Sequence, residues 1–198
     1  GVLSEIEALS LALEGLVSRH DKMRATDLVT KSSQIEFQRM IGVAEVMLRE
    51  IATENHGEAQ RLRGKAKSRM YRYVAQLYKQ YLSLFSPIRN KLPYEYEQLM
   101  RFNYAESLFE VGEFLRSARN YGRVNSDNVS PKTSQEKELW LASGRGEIRS
   151  YEFYIKKLAK KATPRIYGAS AARIPPVKRE LIDACERYSK LAGEYGDN

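Results

Sequence analysis

The sequence predicts an all-α protein built as a run of helix-turn-helix units. Three observations carry that expectation. Apolar residues recur three and four positions apart along nearly every segment, the spacing of one helix face. No segment reads convincingly as a strand, and Pro and Gly fall mainly between the periodic stretches. Three helix ends also share one pattern, a small residue or Leu, then Tyr four positions later, then Leu or Val three further on. They are Leu77-Tyr81-Leu84, Ser117-Tyr121-Val124 and Ala184-Tyr188-Leu191.

The elements follow in order. A first helix is expected over about 3–20, with Leu3, Ile6, Leu9, Leu13, Leu16 and Val17 on one side. A polar break at Asp21 and Thr26-Asp27 leads to a second helix over about 28–54. Its stripe is Ile35, Met40, Ile41, Ala44, Met47, Leu48 and Ile51, and Asn55-His56-Gly57 reads as its stop. A third helix, about 58–85, carries Leu62, Ala66, Met70, Tyr73, Leu77, Tyr81 and Leu84 and ends at Pro87. Pro93 opens two short helices, about 94–111 and 113–125, reversed at Gly112, which can adopt positive φ. The loop Asn125-Ser-Asp-Asn-Val-Ser-Pro131 precedes a long helix over about 134–162. A loop over 163–176 with Pro164, Gly168, Pro175 and Pro176 precedes the last helix, about 177–193.

The chain has 198 residues, enough for one domain or one array with a real core. No apolar run approaches the roughly 18 residues of a membrane span. Gly1-Val-Leu-Ser-Glu lacks the basic start and apolar run of an export signal. The Gly1 start and the end just after a helix read as a piece of a longer, bacterial protein. A soluble location, cytoplasmic or periplasmic, is expected. Cys185 is the only cysteine, which excludes an internal disulfide and a cysteine-based zinc cluster. Beside Ala184 it reads as a small buried thiol. The net charge of +8 is uneven. Residues 58–92 hold nine Lys or Arg against the single acid Glu58, and residues 132–198 hold a further excess of five positive charges.

The central stretch Tyr104–Tyr121 carries a resemblance. Ala105, Leu108, Gly112, Phe114, Ser117 and Tyr121 follow the order small, large apolar, turn glycine, aromatic, small, aromatic. This is similar to one tetratricopeptide repeat (TPR), a helix-turn-helix unit that stacks sideways. Trp140 with Gly144 resembles the aromatic-then-glycine pair that opens such a unit. The resemblance implies a TPR-like right-handed α-solenoid with long N-terminal helices. Residues 1–57 would form an N-terminal bundle or capping helices, and 58–198 the repeats. The best unit is 98–131, and 137–193 is a stretched one. The departures are spacings of 40 from Tyr81 to Tyr121 and 67 from Tyr121 to Tyr188, where the family has 34. The Trp140 helix also lacks a turn glycine where one is due.

In this family partners usually lie in the groove lined by the first helix of each unit. By the resemblance, the groove positions of the central unit are Phe102, Glu106, Phe109 and Glu110. Members that grip a terminal carboxylate use Lys and Asn where this chain has Phe102 and Glu106, so that activity is not implied. An aromatic and acidic lining suits a peptide with apolar and basic residues; alternatively both Phe pack against a neighbouring helix. A second candidate is a basic stripe, Arg61, Lys65, Arg69, Arg72 and Lys79, in one quadrant of the third helix. It suits nucleic acid or another acidic surface, or is simply a solvated face. Tyr71, Tyr73 and Tyr78 lie close by and could stack on bases, but Tyr73 is better used in the core. Lys156, Lys157, Lys160 and Lys161 form a second basic set and complement a helix C-terminus.

Catalytic patterns are scarce. His20 and His56 are the only histidines, and both are expected at helix ends. No His pair, phosphate loop or nucleophile elbow occurs. Gly144-Arg-Gly146 follows no strand and precedes no Lys-Ser/Thr. No cofactor or metal is expected. The function read from the sequence is a non-enzymatic scaffold binding a partner protein or peptide on a helical groove. The alternative is a basic module binding nucleic acid or another polyanion. The apolar face near Ile182, Cys185 and Leu191 leaves self-assembly as a third idea.

Overall fold

Seven α-helices and one 3₁₀ segment follow one another in the computed structural model, which describes residues 2–26, 28, 30–91, 94–125, 131–161 and 174–195. Side chains are described for all of these except 2–7, 9, 10, 89–91, 94, 95 and 161. The helices are α1 (Val2–Ala25), α2 (Lys31–Arg61), α3 (Gly64–Phe85), α4 (Tyr94–Glu110), α5 (Phe114–Val124), α6 (Ser134–Lys161) and α7 (Pro176–Tyr195). The 3₁₀ segment is Ser86–Lys91, and no strand occurs among the described residues. Two compact units divide the chain, residues 1–100 and 101–198. Parts of both interhelix loops, residues 126–130 and 162–173, and Pro93 lie outside the described residues.

In the first unit the α2 N-terminus is capped by Thr30, whose Oγ1 accepts the Ser33 N–H at 3.1 Å. The helix then runs through the expected stop at Asn55-His56-Gly57 and ends at Arg61. Its buried stripe explains why, since Phe37, Ile41, Ala44, Leu48, Ala52, His56 and Ala59 continue on one face past Gly57. Burying that last turn outweighs the cost of one glycine, about 1 kcal/mol. The chain reverses instead at Gly64, at φ +59°. α3 answers with Tyr71, Val74, Leu77, Tyr78, Tyr81 and Phe85. The two helices bury these faces against each other, and α2 runs across the 57/58 boundary read from the sequence.

Three residues of the expected α2 stripe, Ile35, Met40 and Met47, are exposed, as are Val43 and Val46. The helix has apolar residues on two sides; α3 and, at Phe37, His20 of α1 cover one, while these five stay open. His20 and His56 both lie inside helices and are buried, contrary to the expectation of helix ends.

In the second unit α4 ends in a Schellman turn. Glu113 N–H donates to Leu108 O and Gly112 N–H to Phe109 O, both at 2.9 Å, with Gly112 at φ +79°. Ser117 then donates its hydroxyl to Ala105 O at 2.7 Å, so the two small residues mark where α4 and α5 approach closely. α6 starts in a capping box, Thr133 Oγ1 accepting from Glu136 N–H and Glu136 Oε2 from Thr133 N–H. Ala118, Tyr151 and Ala184 form the core between α5, α6 and α7, with Leu115, Ile148, Val177 and Leu181 against it. Because Ala184 is the position α7 turns inward, its neighbour Cys185 is exposed, not buried.

Candidate functional site

Helices α5, α6 and α7 are joined by glycine seams. A Cβ on Gly146 would lie 2.8 Å from the Tyr121 ring, and one on Gly144 would lie 2.7 Å from the Tyr188 ring. The Gly144-Arg-Gly146 pair thus seats two of the three tyrosines that share the sequence pattern. Tyr81, the third, has a different partner. It is buried in the first unit and donates its hydroxyl to the buried Glu45 carboxylate at 2.6 Å. Arg49 Nε binds the same oxygen at 2.9 Å.

Charge fastens α7 to the other helices of its unit. Glu180 accepts from Arg119 at 3.1 and 3.2 Å and from the Tyr151 hydroxyl at 2.8 Å. The Arg119 hydrogen bonds hold the Glu180 carboxyl below the usual range. Arg187 donates to buried Glu147 at 2.6 Å, yet burial pushes the Glu147 carboxyl up, the Arg187 charge pulling the other way.

The four residues proposed for the groove fall on α4 within this unit. Phe102 is half-buried, with its ring edge-to-face on Tyr121 at 5.3 Å. Phe109 is half-buried and meets Phe114 of α5 and Phe153 of α6, both at 5.2 Å. Glu106 is half-buried and Glu110 exposed, and each makes an intramolecular interaction of its own. So both phenylalanines pack against neighbouring helices while keeping part of their surface open. Sequence reasoning missed the cations around Phe109. Arg149 lies 4.9 Å from the centre of that ring, Lys156 lies 5.7 Å from Phe153, and Lys157 lies 5.5 Å from Phe114. Nothing in the sequence links residues 109, 114, 149 and 153 except helix register, which does not say which helices meet.

The basic stripe changes in one member. Lys65, Arg69, Arg72 and Lys79 are exposed on α3. Arg61 is exposed too, but it belongs to the last turn of α2, beyond the break at Leu62-Arg63. No carboxylate pairs with any of the five among the described residues. The tyrosine assignment reverses. Tyr71 and Tyr78 are buried on either side of His56, each ring 5.6 Å from the imidazole, and the Tyr78 hydroxyl lies 3.0 Å from His56 Nδ1. Tyr73 is the half-buried one, so neither ring expected to stack on bases is available.

His20 stacks on Phe37 at 3.8 Å, and neither ring nitrogen has a hydrogen-bond partner among the described residues. No group of three His, Cys, Asp or Glu side chains converges on a metal-sized site among the described residues. No described helix is long and apolar enough to cross a membrane.

Compared with family models, curated proteins and solved structures, the chain matches none. What it binds is therefore argued from its own surface.

Proposed function

We propose that the chain is a non-enzymatic scaffold whose second unit holds a partner protein or peptide along a TPR-like groove. In this reading α4 with α5 and α6 with α7 are successive TPR-like pairs of a right-handed α-solenoid. The partner lies on Phe102, Glu106, Phe109 and Glu110. The observation that carries it is Phe109. It stands at a groove position of the resemblance and keeps part of its ring open although three helices converge there. Half-open aromatic groups on preformed helices bind without paying to order themselves.

The test is affinity capture from lysate of the source organism, with wild type, Phe102→Ala and Phe109→Ala side by side. A protein retained by wild type and lost from both variants, each still helical by circular dichroism, supports the reading. Retention by both variants overturns it.

A second reading rests on the α3 face. Lys65, Arg69, Arg72 and Lys79, with Arg61 nearby in sequence, have no acidic partner among the described residues and suit nucleic acid or another polyanion. It predicts binding of a labelled oligonucleotide that falls steeply with salt and is lost in Arg69→Glu/Arg72→Glu. Binding insensitive to salt eliminates it.

A further inference from the structure

Phe109, Phe114 and Phe153 form a closed triangle of rings, with centroids 5.2, 5.2 and 5.3 Å apart. They come from α4, α5 and α6 and form a junction at the surface. Phe153 is 39% exposed, and the other two are half-buried. Cations border the surface that the helices leave open. Arg149 spans Phe109 and Phe153 at 4.9 and 5.8 Å, Lys156 sits by Phe153, and Lys157 sits by Phe114. Lys157 also donates to Gly112 O at 3.1 Å, which holds its ammonium beside the α4–α5 turn. No carboxylate pairs with these three cations among the described residues.

We infer that this aromatic junction receives an acidic peptide, one that places an apolar side chain against the phenyl rings and carboxylates on Arg149, Lys156 and Lys157. The inference rests on the partner-binding reading of the second unit and fixes the partner's charge, which the sequence put the other way. Three like charges gathered on one apolar patch repel one another, and carboxylates relieve that repulsion. The cations are already held near the rings, so less of their freedom is lost on binding. Single-stranded nucleic acid would supply negative charge as well, but it binds aromatic platforms by stacking bases on open ring faces. Here the rings stand at 46–72° to one another, with a cation within 6 Å of each centre, so no flat platform is presented.

The experiment uses the whole chain and fluorescein-labelled synthetic peptides at about 0.15 M salt, where surface charges are screened beyond roughly 8 Å. One peptide repeats Asp-Asp-Phe, a second Lys-Lys-Phe and a third Asp-Asp-Ala. Oligothymidylate of equal length is the fourth probe. The Asp-Asp-Phe peptide is expected to bind about tenfold more tightly than each of the others. The double change Arg149→Glu/Lys156→Glu should abolish that preference, and Arg149→Gln should weaken it severalfold. Lys31→Glu, an exposed position at the start of α2, should leave it unchanged. Preference for the Lys-Lys-Phe peptide, equal binding of oligothymidylate, or indifference to the double change overturns the inference. The captured partner separates the two claims. If it survives Arg149→Glu/Lys156→Glu but is lost from Phe109→Ala, the groove stands and its acidic specificity falls. If it survives both, both fall.

Discussion

Glycines inside α2 of the first unit and α6 of the second mean opposite things. In the first, Gly42 and Gly57 of α2 have nothing within 4 Å of where a Cβ would stand. In the second, Gly144 and Gly146 of α6 each have a tyrosine ring within 2.8 Å of that point. The former lower helix propensity, and no neighbour uses the space they leave. The latter allow a close crossing that any side chain would obstruct. Buried carboxylates differ in their partners. In the first unit Glu45 is met by Tyr81 and Arg49, whereas in the second Glu147 is met by Arg187 of α7, and Glu180 of α7 is held by Arg119 and Tyr151.

Substitutions can break or sharpen this contrast. Trp140, the only tryptophan, lies on α6 of the second unit, so its fluorescence follows the surroundings of that helix, while far-UV circular dichroism reports the helices of both units. The largest effect is expected from Tyr121→Ala, which removes a buried ring and leaves a cavity beside Gly146; it should cost about 3 kcal/mol in urea unfolding followed by Trp140. Gly146→Ala should come next. Its gain in helix propensity, about 1 kcal/mol, opposes a steric cost of about 1–3 kcal/mol, because Tyr121 is pinned from the other side by Phe102. A net loss is expected, and a net gain would show that the seam is loose.

His20→Leu should stabilise the first unit by about 1 kcal/mol, since neither imidazole nitrogen has a hydrogen-bond partner among the described residues. Circular dichroism should show the change. Gly57→Ala should also stabilise that unit, by about 0.5–1 kcal/mol. Opposite signs for Gly57→Ala and Gly146→Ala would be the clearest support for the contrast.

The smallest effect is pH-dependent. The Glu180 carboxyl titrates lower folded than unfolded, so its contribution is present above the unfolded value, about 4.3. It is lost as pH falls through the folded value. Burial raises Glu147 instead, and its contribution runs the other way, present below the unfolded value and lost as pH rises through the folded one. Glu180→Gln should therefore cost up to about 1 kcal/mol at neutral pH and progressively less as pH falls through the folded value, as read by Trp140 unfolding along a pH series. A loss that does not change with pH would place the effect in shape, not charge.

Much of this architecture can be read in the residues. Gly112 marks the α4–α5 reversal because glycine takes positive φ without strain. The Tyr121 and Tyr188 pattern picks out the inward faces of α5 and α7, and the helix periods predict all seven helices. The errors arise where local signals compete with burial. Asn55-His56-Gly57 looks like a stop, yet buried His56 and Ala59 carry α2 through it. Ile35, Met40 and Met47 look like core because apolar residues fall on two sides of α2. Tyr71 and Tyr78 look like surface because Tyr73 fits the same helix equally well. In each case the partner helix decides.

The sequence alone determined the helical class, the helix count, the turn at Gly112 and the excess of basic residues on 58–92, because these follow from backbone sterics, side-chain periodicity and composition. Tertiary structure decided which face of each helix is covered, which tyrosine meets which glycine, and that Arg149, Lys156 and Lys157 gather on Phe109, Phe114 and Phe153. Those facts depend on contacts between residues far apart along the chain, and local periodicity holds no information about which distant faces meet.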